Sequence, residues 1–228
     1  MSFPVYVSPE QVMQDKAEYA RKGVGKARPS IAIEYVGGIL LVAENPSPAL
    51  HKICEIYDRI AFVGAGKYGE FENLRRAGIR YADLKGYTYG REDVTARSLA
   101  NAYSQAIGEI FSQQVKPLEV EIAVAQVGEA ADTNELYRIS FDGSIADEKG
   151  FCVIGGQAEE LIRVIKQLYK GQQDLGPTLE LAAHALEQGT GQKPQPDFLE
   201  AALLERERPG RKFRFMGTDE LRGHLKLD

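Results

Sequence analysis

Apolar residues in this chain come as short runs joined by tight turns, and the runs gather in groups separated by amphipathic helices. The clearest group is KARPSIAIEYVGGILLVAEN. Here runs at 31–35 and 39–43 flank Gly37-Gly38, and the second ends on the acid Glu44. A Gly-Gly pair between two such runs signals a hairpin, because glycine tolerates the positive φ of tight turns. Further strands are expected at 60–63, at 120–127, at 136–141 before Asp142-Gly143, and at 151–154. A last pair, 198–204 and 212–215, brackets Pro209-Gly210. Antiparallel partners need only short turns, whereas each parallel pair needs a crossover. Hairpin-linked runs therefore favour antiparallel sheets with the helices kept in separate layers.

Helices fill the gaps. Ser8-Pro9-Glu10-Gln11 supplies an N-cap, a first-position proline and a first-turn acid for a helix over 8–24. A charged helix is expected over 67–76. The longest should start at Asp93 and stop before Pro117, with Leu99, Tyr103, Ile107 and Ile110 on one face. A second helical pair covers 158–169 and 178–188, and a short helix follows Asp219. Two stacked antiparallel sheets with a helical layer on each outer face would bury all of these faces. The expected fold is thus α+β, a four-layer αββα sandwich. GTGQKPQP at 189–196 reads as a loop within it, so a single domain is expected over 1–228. Segment 1–7 precedes the first helix, and 25–228 forms the sandwich.

A net charge of −5 argues against nucleic acid or an anionic membrane surface as a partner. No apolar run reaches the roughly 18 residues that spanning a bilayer needs. MSFPVYVSPEQ lacks the pattern of a signal peptide, so a cytoplasmic location is expected. Cys54 and Cys152 are far apart in apolar runs and read as small buried hydrophobes. With three histidines and no paired ligand spacing, neither a metal nor a cofactor is expected.

Several local patterns invite chemistry. Gly64-Ala65-Gly66-Lys67-Tyr68-Gly69 has dinucleotide-binding spacing, with Asp83 about twenty residues on, where such folds place a ribose-binding acid. A second strand–glycine–helix junction at Val153-Ile154-Gly155-Gly156-Gln157 suggests that glycine simply lets strand turn into helix here. A dinucleotide-binding oxidoreductase is one alternative. No G-x-S-x-G elbow accompanies the histidines, and His184 reads as a packed or surface residue. The basic cluster Arg206, Arg208, Arg211, Lys212 and Arg214, interrupted by Glu205 and Glu207, reads as a solvated hairpin. Lys52, between Leu50 and Ile53, is either a surface lysine lying over apolar neighbours or a fixed point charge for a carboxylate.

The segments SPEQ, EYARKGV, SIAIEYVGGILLVAEN, LHKICEIYDRIAFVGAGK, EFENLRR and DGSIADE together resemble the α-subunits of the proteasome core particle, actinobacterial type. The resemblance covers essentially the whole chain and implies the N-terminal-nucleophile hydrolase fold, an αββα sandwich. In that superfamily the active β-subunits expose a threonine at the start of the first strand, assisted by a lysine and an acid. Here the corresponding position falls near Arg28, with Pro29 and Ser30 beside it, while Lys52 and Glu44 stand where the lysine and acid belong. No threonine stands at this position, so the resemblance implies a non-catalytic subunit with a vestigial active-site frame. Ser30, freed by cleavage after Pro29, is the catalytic alternative.

The same resemblance implies partners. Such subunits form heptameric rings on catalytic β-rings, and their N-terminal segments, here 1–7, close the axial pore. Ring-shaped ATPases dock C-terminal tails against them and deliver unfolded, Pup-tagged proteins. The docking lysine corresponds to Lys52, with Gly66 and Lys67 on the pocket wall. The gate turn corresponds to Pro9, and its supporting tyrosine to Tyr19 beside Glu18. The Tyr-Asp-Arg gate motif of archaeal members is missing, and one residue is inserted between Pro9 and Tyr19.

Overall fold

The computed structural model describes residues 8–171 and 173–225, so the expected gate segment 1–7 lies outside the described residues. Ser8 accepts a hydrogen bond from the Gln11 N–H (3.2 Å) ahead of Pro9, and α1 (Pro9–Gly25) starts there. Then follow β1 (Ser30–Tyr35), β2 (Gly38–Glu44), β3 (Ile53–Tyr57), β4 (Ile60–Gly66), α2 (Tyr68–Thr88) and α3 (Ala96–Gln113). The middle of the chain forms β5 (Val120–Gln126), β6 (Glu135–Ile139), β7 (Ile145–Glu148), β8 (Phe151–Ile154) and α4 (Ala158–Leu168). The last elements are α5 (Leu175–Thr190), β9 (Leu199–Glu205), β10 (Phe213–Phe215) and α6 (Thr218–Leu225).

All strand pairings are antiparallel. They build one sheet in the order β10-β9-β2-β1-β8 and a second in the order β3-β4-β5-β6-β7. Alternation along each strand sets the layers. On the first sheet, Ile31, Ile33, Leu40, Val42 and Leu203 face Leu161, Ile165, Leu179 and Ala182 of α4 and α5. The opposite faces of those strands, with Ala32, Ile39, Leu41 and Ala202, meet Ile53, Ala61, Val63, Ala123 and Ala125 of the second sheet. Beyond it, Phe62, Ile122, Val124 and Tyr137 pack on Phe71, Leu99, Tyr103 and Ile107 of α2 and α3. The expected four-layer αββα sandwich is therefore the fold. Central strands covered on both faces read as continuous apolar runs, which is why they stood out.

The differences have local causes. Tyr35 pairs with Gly38, so Val36-Gly37 form the turn and Gly38 already belongs to β2. Gly38 has φ +150°, and a Cβ there would overlap the Leu204 carbonyl oxygen on β9. α2 runs twelve residues past the expected end at 76. It continues through Gly78, where a Cβ would strike the Tyr103 hydroxyl on α3; close helix packing, not helix propensity, sets that position. α3 is capped by Thr95 rather than Asp93, through a reciprocal Thr95–Ser98 box (3.2 and 3.4 Å). β7 escaped notice because it is an edge strand with no buried residue to mark it.

The basic hairpin is solvated, as Arg211 at 75% exposure shows, and its arginines also act as ties. Arg214 reaches Glu205 (3.0 Å) and Glu220 (2.8 Å), Arg211 pairs with Glu55, and Arg206 donates to the Gly128 and Ala130 carbonyls (2.5 and 2.6 Å). These contacts fasten β9 and β10 to α6, to β3 and to the turn after β5.

Candidate functional site

Residues 45–52 carry the chain from β2 in one sheet to β3 in the other, and this crossing is laced by side chains. Asn45 accepts from the Ser47 N–H (3.0 Å) and donates to the Leu50 carbonyl (2.8 Å), while the Ser47 hydroxyl accepts from the Leu50 N–H (3.2 Å). Such Asx and Ser turns give a loop a defined path without a sheet. Glu200 on β9 completes the crossing. Its buried carboxylate accepts from Asn45 Nδ2 (2.5 Å) and from the N–H groups of Lys52 (3.0 Å) and Ile53 (2.9 Å), and lies 3.4 Å from His51 Nδ1. Glu200 thereby fixes the backbone of Lys52. Sequence reasoning missed it, although one acid inside the apolar run LEAALLE, buried in β9, was a usable signal.

The Lys52 side chain turns back towards the first sheet. Its Nζ donates to the Arg28 carbonyl (2.6 Å) and lies 3.4 Å from the Glu44 carbonyl. Among the described residues no carboxylate pairs with it directly, because Glu44 is held by the Arg28 guanidinium and Glu200 by backbone donors. Burial pushes the ammonium pKa down to about 8; the Glu200 and Glu44 charges pull it up, and the Arg28 charge adds to the depression. A cavity of about 240 Å³ opens here, where Lys52, Arg28, Glu44, Asn45 and Ser47 meet an apolar wall that includes Ala27, Leu50 and Phe71. A cation without an acid partner beside an apolar wall suits a carboxylate carried on an apolar group.

Of the wall residues expected from the sequence, Gly66 lines this cavity. Its φ is +112°, and a Cβ would overlap the Glu119 carbonyl oxygen, so the close approach of β5 accounts for glycine there. Lys67, next in the chain, donates its N–H to the same carbonyl (2.9 Å) and caps α2 with its side chain exposed, outside the cavity lining. The dinucleotide reading fails on this geometry. Gly64 and Gly66 lie in an antiparallel strand, Gly64 is packed under the Phe71 ring, and Asp83 sits on α2 instead of at the end of a second strand.

Of the residues expected to frame an active site, Arg28 bonds Glu44 and the Pro29 carbonyl accepts from the Glu44 N–H (3.4 Å), while Ser30 is closed off. It is 1% exposed, pairs with Ala43 and Ile154 in neighbouring strands, and its hydroxyl has no hydrogen-bond partner. Ser30→Ala is expected to leave peptide hydrolysis by any assembly containing this chain unchanged. It should also stabilise the fold by up to about 1 kcal/mol, since an unsatisfied buried hydroxyl is removed. Loss of hydrolysis in a normally folded variant would restore Ser30 as a nucleophile.

Pro9, Glu18 and Tyr19 lie on α1, and of the three Tyr19 lines a separate cleft of about 720 Å³ between α1 and the end of α3, with Val12, Lys16 and Val115. Pro9 occupies the first helical position. Lys16 Nζ donates to the Phe111 and Ser112 carbonyls (3.0 and 3.4 Å), satisfying orphan acceptors at the α3 C-terminus. Glu18 bonds Lys22 (2.7 Å), which holds its pKa below the usual value. The Tyr19 hydroxyl donates to Glu119 (3.3 Å), and the Lys116 ammonium sits 5.7 Å from the Tyr19 ring centre. Glu119 thus touches both groups of residues, Tyr19 through its side chain and Lys67 through its carbonyl.

A family model described as proteasome subunit matches residues 24–199. Among curated proteins, the chain is similar to proteasome subunit alpha of Thermobifida fusca, with 52% identity over 223 residues, 97% of this chain and 90% of that one. It is 53% identical over 224 residues to proteasome subunit alpha of Acidothermus cellulolyticus, covering 96% of each. With the protein of the same name from Streptosporangium roseum it shares 53% identity over 214 residues, 93% of this chain and 83% of that one.

Proposed function

Because the chain belongs to the proteasome subunit family, as a non-catalytic α-subunit, we propose that it forms the outer heptameric rings of a cytoplasmic core particle. In this reading the α-ring stacks on β-subunits that carry the threonine chemistry. Its segment 1–7, with Pro9, Glu18 and Tyr19 behind it, gates the axial pore. The Lys52 cavity receives the C-terminal tail of a ring-shaped ATPase that feeds in unfolded, Pup-tagged protein. Gly66 forms part of its wall and Lys67 flanks it.

One observation carries the docking reading. Among the described residues, the Lys52 ammonium bonds two carbonyls and pairs directly with no acid. Carbonyls orient the charge but do not neutralise it, so a terminal carboxylate can make the direct charge-assisted bond that Glu44 and Glu200 do not. A lysine's compact charge on a flexible stem also suits a tail that binds and leaves repeatedly.

The experiment is a pH titration. Lys52 has a folded pKa of about 8 against 10.5 for a free lysine. Between those values the unfolded chain holds a proton that the folded chain gives up. The buried ammonium therefore opposes folding below pH 8, and that penalty fades as pH rises through the window. Docking has the opposite sign. A carboxylate binds the ammonium, so above pH 8 it must first draw a proton onto Lys52, past the fixed charges of Glu44, Arg28 and Glu200. Stimulation of the α/β particle by its ATPase at subsaturating concentration should weaken by about tenfold for each pH unit above 8. Stimulation that stays flat across the pH range in which Lys52 is seen to lose its proton would detach Lys52 from docking.

Removal of residues 1–7 should speed short-peptide hydrolysis several-fold in a reconstituted α/β particle of intact native mass. An unchanged rate would show that this segment does not limit entry.

A further inference from the structure

Glu44 is the acid best placed to spoil the cavity. Lys52 Nζ lies 3.4 Å from the carbonyl of that very residue, and the Glu44 side chain is only 18% exposed at the end of β2. A carboxylate tethered so close competes with any visiting one at high effective concentration. Yet it does not pair with Lys52, because the Arg28 guanidinium bonds it instead. Arg28 is 51% exposed at the cavity wall, and its own carbonyl anchors the lysine. One residue thus orients Lys52 with its backbone and withdraws the competing acid with its side chain.

Resting on the docking reading above, we propose that Arg28 is a positioning residue. By holding Glu44 it keeps that acid off Lys52 and leaves the ammonium for the terminal carboxylate of a partner chain. Without Arg28, the Glu44 carboxylate turns to Lys52 and the cavity neutralises itself. The cavity then rejects the same tail it is shaped to accept.

The apolar wall of Ala27, Leu50 and Phe71 recommends a fluorescently labelled octapeptide ending in leucine with a free carboxylate as the probe. Its C-terminal amide serves as control. Binding is read by anisotropy on the assembled α/β particle, whose native mass verifies folding of each variant. The wild-type particle should bind the acid and not the amide. Arg28→Ala should weaken binding of the acid by about tenfold, and Arg28→Lys, which still holds Glu44, should keep it. In the double variant Arg28→Ala with Glu44→Gln, binding should return to within about twofold of wild type, since no acid remains to capture Lys52. A double variant as weak as Arg28→Ala alone, with Lys52→Ala also weak, would overturn the assignment and make Arg28 a direct contact or a structural support. Full binding by Lys52→Ala would overturn the docking reading itself, and this inference with it.

Discussion

Lys52→Ala should lower ATPase stimulation of the α/β particle by at least about tenfold, with native mass unchanged. The magnitude follows from the kind of contact removed. Truncating one partner of a buried, hydrogen-bonded charge pair costs about 2–5 kcal/mol, and about 1.4 kcal/mol is a factor of ten. The cavity is open to solvent on one side, so the lower end applies. Loss of the lysine also strips the Arg28 and Glu44 carbonyls of their donor, which could shift the wall. Lys52→Met separates the two effects, because methionine keeps much of the apolar stem and none of the charge. Equal loss in both variants assigns the effect to the ammonium. Stimulation retained in Lys52→Met would mean that the stem shapes the cavity and the charge is idle.

Gly66→Ala should destabilise the subunit by at least about 3 kcal/mol, the sum of a left-handed backbone for a side-chain residue and an overlap with backbone. The overlap cannot relax cheaply. The Glu119 carbonyl is held by the Lys67 N–H, and Gly66 pairs with Val120 across the sheet. For a chain of this size the midpoint of thermal unfolding should drop by about 6–12 °C. Gly69→Ala, three residues on, should behave oppositely. It lies in the first turn of α2 with no atom within 4 Å of an added Cβ, so it should gain up to about 1 kcal/mol of helix propensity. Equal effects at the two sites would mean that the glycines serve a ligand rather than the fold.

The contrast shows how far residue patterns reach. Gly64-Ala65-Gly66-Lys67-Tyr68-Gly69 matched a nucleotide-binding spacing, yet each glycine answers to a different neighbour: the Phe71 ring, the Glu119 carbonyl and, for Gly69, none at all. Spacing records where glycines stand but not what crowds them. The same limit applied to α2, whose extension past residue 76 depends on α3 covering Gly78 and Ala82. It applied also to the basic hairpin, whose arginines find acids and carbonyls on β3, α6 and the turn after β5. By contrast, the Ser8 cap of α1 was readable in full, because the Gln11 N–H lies three residues away, and the hairpin of β1 and β2 was readable except for its turn, since Gly38 belongs to β2 beside the distant Leu204 carbonyl.

The layer order was settled by the chain alone. Apolar periodicity is a local property, and hairpin-linked runs between amphipathic helices favour stacked sheets with outer helical layers. Lys52 likewise stood out as a choice between an idle surface charge and a receptor for one. Which acids and carbonyls surround it is decided by groups far away in the chain. Arg28, 24 residues before it, supplies the anchoring carbonyl and removes Glu44; Glu200, 148 residues after it, fixes its backbone and has its own carboxylate filled by N–H donors. Whether a lysine carries an uncommitted charge depends on which acids already have partners, and that is a property of packed strands rather than of neighbouring letters.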